Sequence, residues 1–353
     1  MRTVEETCRR ISGLDRAAMQ RAQDRLDMLT KPRGSLGRLE ELAVQFAGIL
    51  KSLPRECKEK VIFTLAADHG VAVEGVSAYP QEVTGQMVLN FLRGGAAINV
   101  LARSVGARVV VVDMGVKAAV APKSRRLCRR RIAAGTANFL QQPAMSRPQA
   151  VQAVAAGIDL VQTEVQRQGI SVAAIGEMGI GNTTAASAVV AALTGTSPAA
   201  VTGSGTGVDK AGLQRKCVVI ETALARHAPD ARDAFDVLSK VGGFEIGGMA
   251  GIILGAAASR IPVVLDGFIA GAAALIACRL APAARDFLIA AHCSVEPGHV
   301  LVLEKLGTRP LLDLQLRLGE GTGAALALPL LDASVRILNE MASFHTAGVS
   351  PAK

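Results

Sequence analysis

Two glycine-rich turns and one glycine-flanked glutamate hold most of the chemistry that the residue types of this chain allow. Gly176-Glu-Met-Gly-Ile-Gly-Asn-Thr-Thr184 leaves one apolar run and opens an Ala-rich one. A glycine turn at such a junction bares backbone N–H groups. With the positive end of a helix dipole these would hold a phosphate dianion, and Asn182, Thr183 and Thr184 add side-chain donors. The plainer reading is a tight strand-to-helix turn without a ligand. Thr202-Gly-Ser-Gly-Thr-Gly207, followed by Asp209, reads as a further phosphate or ribose contact through Gly203, Ser204 and Gly205. Lys216 lies near it in sequence and would neutralise a phosphate, although a surface lysine is the default at such a position. No Gly-Lys-Ser/Thr closes either turn and neither holds GxGxxG, so ATP hydrolysis and nicotinamide-dinucleotide redox chemistry lose their usual motif.

Arg317-Leu-Gly-Glu-Gly-Thr-Gly-Ala324 sets Glu320 between two glycines beside the apolar run Ala324–Leu331. Burial there would raise its pKa and make it a general base near neutral pH, while a helix N-cap acid explains the same spacing equally well. His69 follows Asp68, but no second His lies at ligand spacing, and a structural, hydrogen-bonded His is expected. His292 and His299 fit no HExxH pattern, so no metal is expected. Six cysteines without a CxxC pair read as reduced thiols.

These groups need rigid elements to position them. Apolar runs stop at turns holding Gly and a polar or acidic residue: Val61–Ala67 before Asp68-His69-Gly70, Val109–Val112 before Asp113-Met114-Gly115, and Ser171–Gly176 before Glu177. Ile261–Leu265 before Asp266-Gly267 and Phe287–Ala291 before Glu296-Pro-Gly-His299 continue the pattern, which predicts five parallel strands. The Ala-rich stretches Ala96–Arg103, Thr184–Leu193, Gly247–Ala258 and Ala270–Arg279 supply the helices of a doubly wound α/β sheet. Ligands bind such sheets at the strands' carboxyl ends, where these turns fall. Residues 1–55 are helical in spacing but interrupted at 31–37, and Ser334–Phe344 is a further helical stretch.

Half of the residues are hydrophobic, yet aromatics make up only 3%, with no Trp and a single Tyr, Tyr79. A core of Ala, Val, Leu and Ile packs helix on sheet, and stacking platforms for nucleic acid are lacking. Much of the net charge of +9 sits in one run, Lys123, Arg125, Arg126, Arg129, Arg130 and Arg131, which reads as a solvated loop or helix face. A charged opening segment and apolar stretches too short to span a bilayer predict a cytoplasmic protein without a membrane span.

Read in order, Lys31–Arg38, Ala67–Gly70, Glu74–Thr84, Asn90–Ala97, Gly176–Thr184, Gly242–Gly248 and Leu318–Gly323 resemble the blocks of the nicotinate-nucleotide–dimethylbenzimidazole phosphoribosyltransferases of cobalamin synthesis. The resemblance implies a homodimer with no cofactor. It implies an α/β core domain of residues 56–330 holding the substrate site, and a smaller helical lobe of residues 1–55 plus 331–353. It also implies the reaction, transfer of phosphoribose from nicotinate mononucleotide to 5,6-dimethylbenzimidazole with inversion at C1′, giving α-ribazole 5′-phosphate and nicotinate. Glu320 would be the base and Glu177 a second carboxylate. Ser77, Tyr79 and Gln86 would line the base pocket. Gly179, Asn182 and Thr183 would meet the ribose phosphate, with Met178, Gly181, Gly203, Ser204, Gly205, Lys216 and Leu318 completing the substrate contacts. The chain departs from the family pattern at Arg33, where Pro is expected, and at Tyr79, where Phe is expected. A nucleotide sensor would also use two glycine-rich loops but has no need of Glu320.

Overall fold

The computed structural model describes residues 3–118 and 126–350. Six strands among the described residues form one parallel sheet: β1 (Lys60–Ala67), β2 (Arg108–Gly115), β3 (Leu127–Arg129), β4 (Val172–Met178), β5 (Val263–Leu265) and β6 (Leu288–Ala290). Their order is β3-β2-β1-β4-β5-β6, so the winding reverses between β1 and β4 and the carboxyl ends of those two strands open a crevice.

Period-2 alternation decides the two faces. Val61, Phe63, Leu65 and Ala67 of β1 pack on one side with Arg147–Arg167, Asn182–Thr194, Phe244–Ala258 and Phe268–Leu280. Ile62 and Ala66 pack on the other with Arg38–Leu50, Val83–Arg93, Ala97–Ser104 and Thr322–Glu340. The shortage of aromatics has a counterpart here. A Cβ on Gly157 would stand 2.0 Å from the carbonyl oxygen of Gly248, so two helices meet backbone to backbone where bulky side chains would hold them apart.

Two expectations need correction. The sheet has a sixth strand, β3, inside the basic run: Leu127 is buried at the sheet edge and the Arg130 guanidinium pairs with Asp159 at 2.7 Å. One buried side chain among arginines carries no period-2 signal, which is why the strand is silent in the sequence. Lys123 and Arg125 lie outside the described residues. The C-terminal helix is Thr322–Glu340, with Pro329 inside it, and so starts well before the pattern at Ser334–Phe344 suggests. Its first half packs on the sheet, while Leu338 joins Ala18, Ala22, Leu26, Leu29, Ala43 and Ala47 of the N-terminal helices. The expected interruption at 31–37 is present and is anchored by a buried pair, the Lys31 ammonium 2.8 Å from the Glu40 carboxylate, which also accepts the Leu36 N–H at 2.9 Å.

Candidate active site

Residues 319–321 follow one another through left-handed backbone, with φ of 86°, 64° and 96°. For the middle residue, Glu320, that conformation costs about 1–2 kcal/mol relative to the ordinary helical region. Tertiary bonds hold it there. The Thr64 hydroxyl at the middle of β1 donates to the Glu320 carbonyl at 2.9 Å, and the Glu320 N–H donates to the Glu177 carbonyl of β4 at 3.1 Å. Asp266, just past β5, accepts three N–H groups: Gly321 at 3.0 Å, Gly323 at 2.7 Å and Ala324 at 3.1 Å. That carboxylate caps the helix Thr322–Glu340, so Glu320 is not its N-cap acid.

The loop therefore brings the buried Glu320 side chain against the crevice. Its Oε2 accepts the Ile98 N–H at the start of the helix Ala97–Ser104, at 3.1 Å; among the described residues nothing hydrogen-bonds its other oxygen. Burial raises the Glu320 pKa above the usual carboxylate range, the Ile98 N–H opposes this, and the negative Asp266 adds to it. Glu177 is shifted further. Burial, then the charges of Glu245, Asp266 and Glu320, push it up to about 8 against the opposing hydrogen bond from the Asn182 amide. Like charges in one dry site do not all ionise, and a pKa of about 8 keeps the proton on Glu177 at neutral pH.

Because the folded state holds this proton more tightly than the unfolded chain, Glu177 stabilises the fold fully below about 4.5, its ordinary value, and the contribution is lost as pH rises through about 8. Glu177→Gln cannot ionise. It is expected to show a shallower fall in melting temperature from about pH 5 to about pH 8 than the unsubstituted chain. Parallel melting curves across that range would show that ionisation of Glu177 carries no such penalty.

The glycine-rich turns close the floor of the crevice. Glu177, Met178, Gly179 and Gly181 lead from β4 into the helix Asn182–Thr194, and the Asn182 amide donates back to the Glu177 carboxyl. The Ile180 N–H is bound by the Thr84 hydroxyl at 3.1 Å, tying this turn to the helix that carries Gln86. Gln86 itself is exposed on that helix. Lys216 is fully buried, contrary to the expected surface position: its ammonium donates to the Gly203 carbonyl at 2.8 Å and the Thr183 hydroxyl at 3.1 Å. Desolvation lowers its pKa to about 8, with Glu296 pulling the other way. Glu296 accepts the Gly205 N–H at 2.9 Å, so one amide of the second turn is bound inside the protein. Thr206 of the same turn binds the Ser77 hydroxyl at 3.1 Å and the Ala78 N–H at 2.9 Å, while Arg317 donates to the Gly205 carbonyl at 2.9 Å. Ser204 is half-buried, and Tyr79 and Leu318 stand exposed next to these anchored positions.

Several members of this constellation carried no reading from sequence. Asp266 sat in plain view as an acidic strand-end residue, the same signal as Asp68 and Asp113, but nothing in its spacing tied it to Glu320. Glu245 lies in the Gly242–Gly248 block; its carboxylate is 2.7 Å from Nε2 of His69, both groups fully buried, so His69 is hydrogen-bonded as expected. His299 is held neutral, its Nδ1 accepting the Ser294 N–H at 2.8 Å and its pKa lowered to about 3 by burial and by His292. Among the described residues no group of His, Cys, Asp and Glu is arranged to hold a metal, no helix is long and apolar enough to cross a membrane, and all six cysteines are free.

A doubly wound sheet with three carboxylic groups of raised pKa, Glu177, Asp266 and Glu320, at its crossing point defines an α/β protein equipped for acid–base chemistry on a small ligand. A family model described as phosphoribosyltransferase matches residues 11–349. The chain is 61% identical over 350 residues to the nicotinate-nucleotide–dimethylbenzimidazole phosphoribosyltransferase of Roseiflexus sp. (strain RS-1), with 99% of each chain covered. It is 60% identical to the protein of the same name from Chloroflexus aggregans, covering 100% of this chain and 99% of that one. The crystal structure of CobT from Thermus thermophilus superposes with a TM-score of 0.91 at 49% identity, over 95% of this chain and 100% of the other. The chain belongs to the nicotinate-nucleotide–dimethylbenzimidazole phosphoribosyltransferase family, and it is an enzyme.

Proposed function

We propose that this enzyme moves phosphoribose from nicotinate mononucleotide to 5,6-dimethylbenzimidazole with inversion at C1′, releasing nicotinate and α-ribazole 5′-phosphate. The observation that carries the reading is Glu320: a buried carboxylate of raised pKa, held in left-handed backbone, with one oxygen bound by Ile98 and the other without a hydrogen bond among the described residues.

Nicotinate leaves C1′ readily because its ring nitrogen is cationic while bonded; it departs with the electron pair of the glycosidic bond, and no acid has to protonate it. The enzyme has to orient the attacking ring nitrogen on the far face and remove the proton from the other nitrogen. Glu320 takes that proton as the new C1′–N bond forms. Glu177, protonated at neutral pH, offers a hydrogen bond without adding a second negative charge against the base. The turn Gly179–Thr183 together with Lys216, Gly203, Ser204 and Gly205 grips the phosphate and ribose, holding C1′ in line. Ser77, Tyr79, Gln86, Met178 and Leu318 border the acceptor base in this reading, and a Tyr79 hydroxyl where the family pattern has Phe would bias which base is accepted. The working form in this reading is a cytoplasmic homodimer, with the terminal helices as a smaller lobe on the α/β core.

The test is to incubate the purified protein with nicotinate mononucleotide and 5,6-dimethylbenzimidazole and follow both products by chromatography. The expected result is α-riboside phosphate in one-to-one yield with nicotinate. Nucleotide binding without either product would sink the assignment and favour a sensor.

A further inference from the structure

We infer that Asp266 is a positioning residue for the reaction, setting the place of the Glu320 carboxylate through the backbone of residues 321–324. The inference rests on the reading of Glu320 as the base. Asp266 touches no reacting atom; it acts through the loop.

Three left-handed residues in a row need support from outside. Residues 319–321 have no regular hydrogen-bond ladder to hold them, and Glu320 is the one that carries a Cβ penalty. A change of φ at Glu320 or Gly321 would swing the carboxylate away from Ile98. Of the groups that bond the backbone of residues 320–324 from outside the loop, Thr64 and the Glu177 carbonyl each make one bond, to Glu320 itself. Asp266 makes three, with both oxygens used, across the step where the loop becomes helix. Three hydrogen bonds to one side chain fix direction as well as distance.

Asp266 is itself held in place. It is buried at the end of β5, with His292 Nε2 at 3.8 Å from its Oδ1. The His292 ring packs where a Cβ on Gly323 would stand, 2.0 Å from its Cδ2. The titratable groups around Asp266 are Glu177 on β4, Glu320 on the loop and His292 after β6; burial raises the pKa of Asp266 itself, against His292 and the three N–H groups that lower it, and its ionised form raises the pKa of both glutamates. Asp266 thus has two separable influences on Glu320, one geometric and one electrostatic.

Two substitutions separate them. Asp266→Asn keeps the shape, removes the charge and turns one acceptor into a donor facing a backbone N–H. Asp266→Glu keeps charge and acceptors but displaces them by one methylene. Both are expected to lower kcat about a hundredfold, the scale of a misplacement of roughly 1 Å, while calorimetry gives an unchanged dissociation constant for nicotinate mononucleotide. The acid limb of kcat against pH should move to lower pH in Asp266→Asn and stay in place in Asp266→Glu, which also covers the case in which the Asn variant does not fold. Wild-type kcat in either folded variant overturns the inference, as does a loss of kcat matched by loss of nucleotide binding and of melting temperature, the mark of a purely structural role. Glu320→Gln in the same assays keeps the two readings apart. Full turnover there fails the base assignment whatever Asp266 does, whereas a dead Glu320→Gln beside active Asp266 variants fails this inference alone.

Discussion

Glu320→Gln is expected to lower turnover by about two to four orders of magnitude, the usual contribution of a positioned general base, and to leave nicotinate mononucleotide bound as in the unsubstituted enzyme. The amide is nearly isosteric. Its oxygen still accepts the Ile98 N–H, its backbone still meets Thr64 and Glu177, and residues 319–321 keep their left-handed path. Only the ability to take a proton is gone. In the unsubstituted enzyme, activity should fall on the acid side as Glu320 is protonated, at a pH above the usual carboxylate range because burial and Asp266 raise it. The residual activity of the Gln variant should show no such limb. Steady-state nicotinate release across pH, paired with calorimetric binding, reads both effects; equal turnover in the two proteins would remove Glu320 from the mechanism.

Gly176→Ala is expected to be almost as damaging, for a reason that has nothing to do with proton transfer. A Cβ at residue 176 would stand 2.1 Å from the Gly321 nitrogen and 2.4 Å from both the Glu320 carbonyl carbon and the Gly321 Cα. All three neighbours are backbone, so no side chain can rotate out of the way. β4 is paired on both sides, by β1 and β5, and does not yield; the strain falls on the loop. Overpacking of this kind costs about 1–3 kcal/mol or more, and a Glu320 displaced by roughly an ångström loses about a hundredfold in rate. The variant should melt at lower temperature and turn over poorly while its nucleotide dissociation constant changes far less. A protein with wild-type melting and wild-type kcat would show that the close approach of β4 and the loop places no constraint on the base.

Much of the scaffold was readable because short apolar runs ending in Gly and Asp punctuate it. β1, β2, β4, β5 and β6 all fall on such runs, and their carboxyl ends are where the glycine turns lie. β3 was not readable, since three residues inside an arginine-rich stretch have neither a run nor an alternation to detect. The start of the C-terminal helix is hidden in the sequence because its first turn is Thr322-Gly-Ala-Ala, residues of weak pattern, and because Pro329 lies within it. The burial of Lys216 has no local signal, because a lone Lys in a helix faces solvent by default; only the contact with Gly203 and Thr183 puts it inside.

The order of elements, the two glycine turns and the glycine-flanked Glu320 belong to the sequence alone, since each depends on neighbours a few positions away and on the backbone freedom of Gly. Tertiary structure alone decided which of several carboxylates holds its proton and which residue aims the base. Glu177, Glu245, Asp266 and Glu320 come from four separate elements, and the pKa values of Glu177 and Glu320 are set by burial and by charges that meet only across the sheet. Asp266 reaches Gly321, Gly323 and Ala324 across more than fifty residues of chain. Coulomb energy and hydrogen bonding depend on distance in space, and no local pattern in a sequence records that distance.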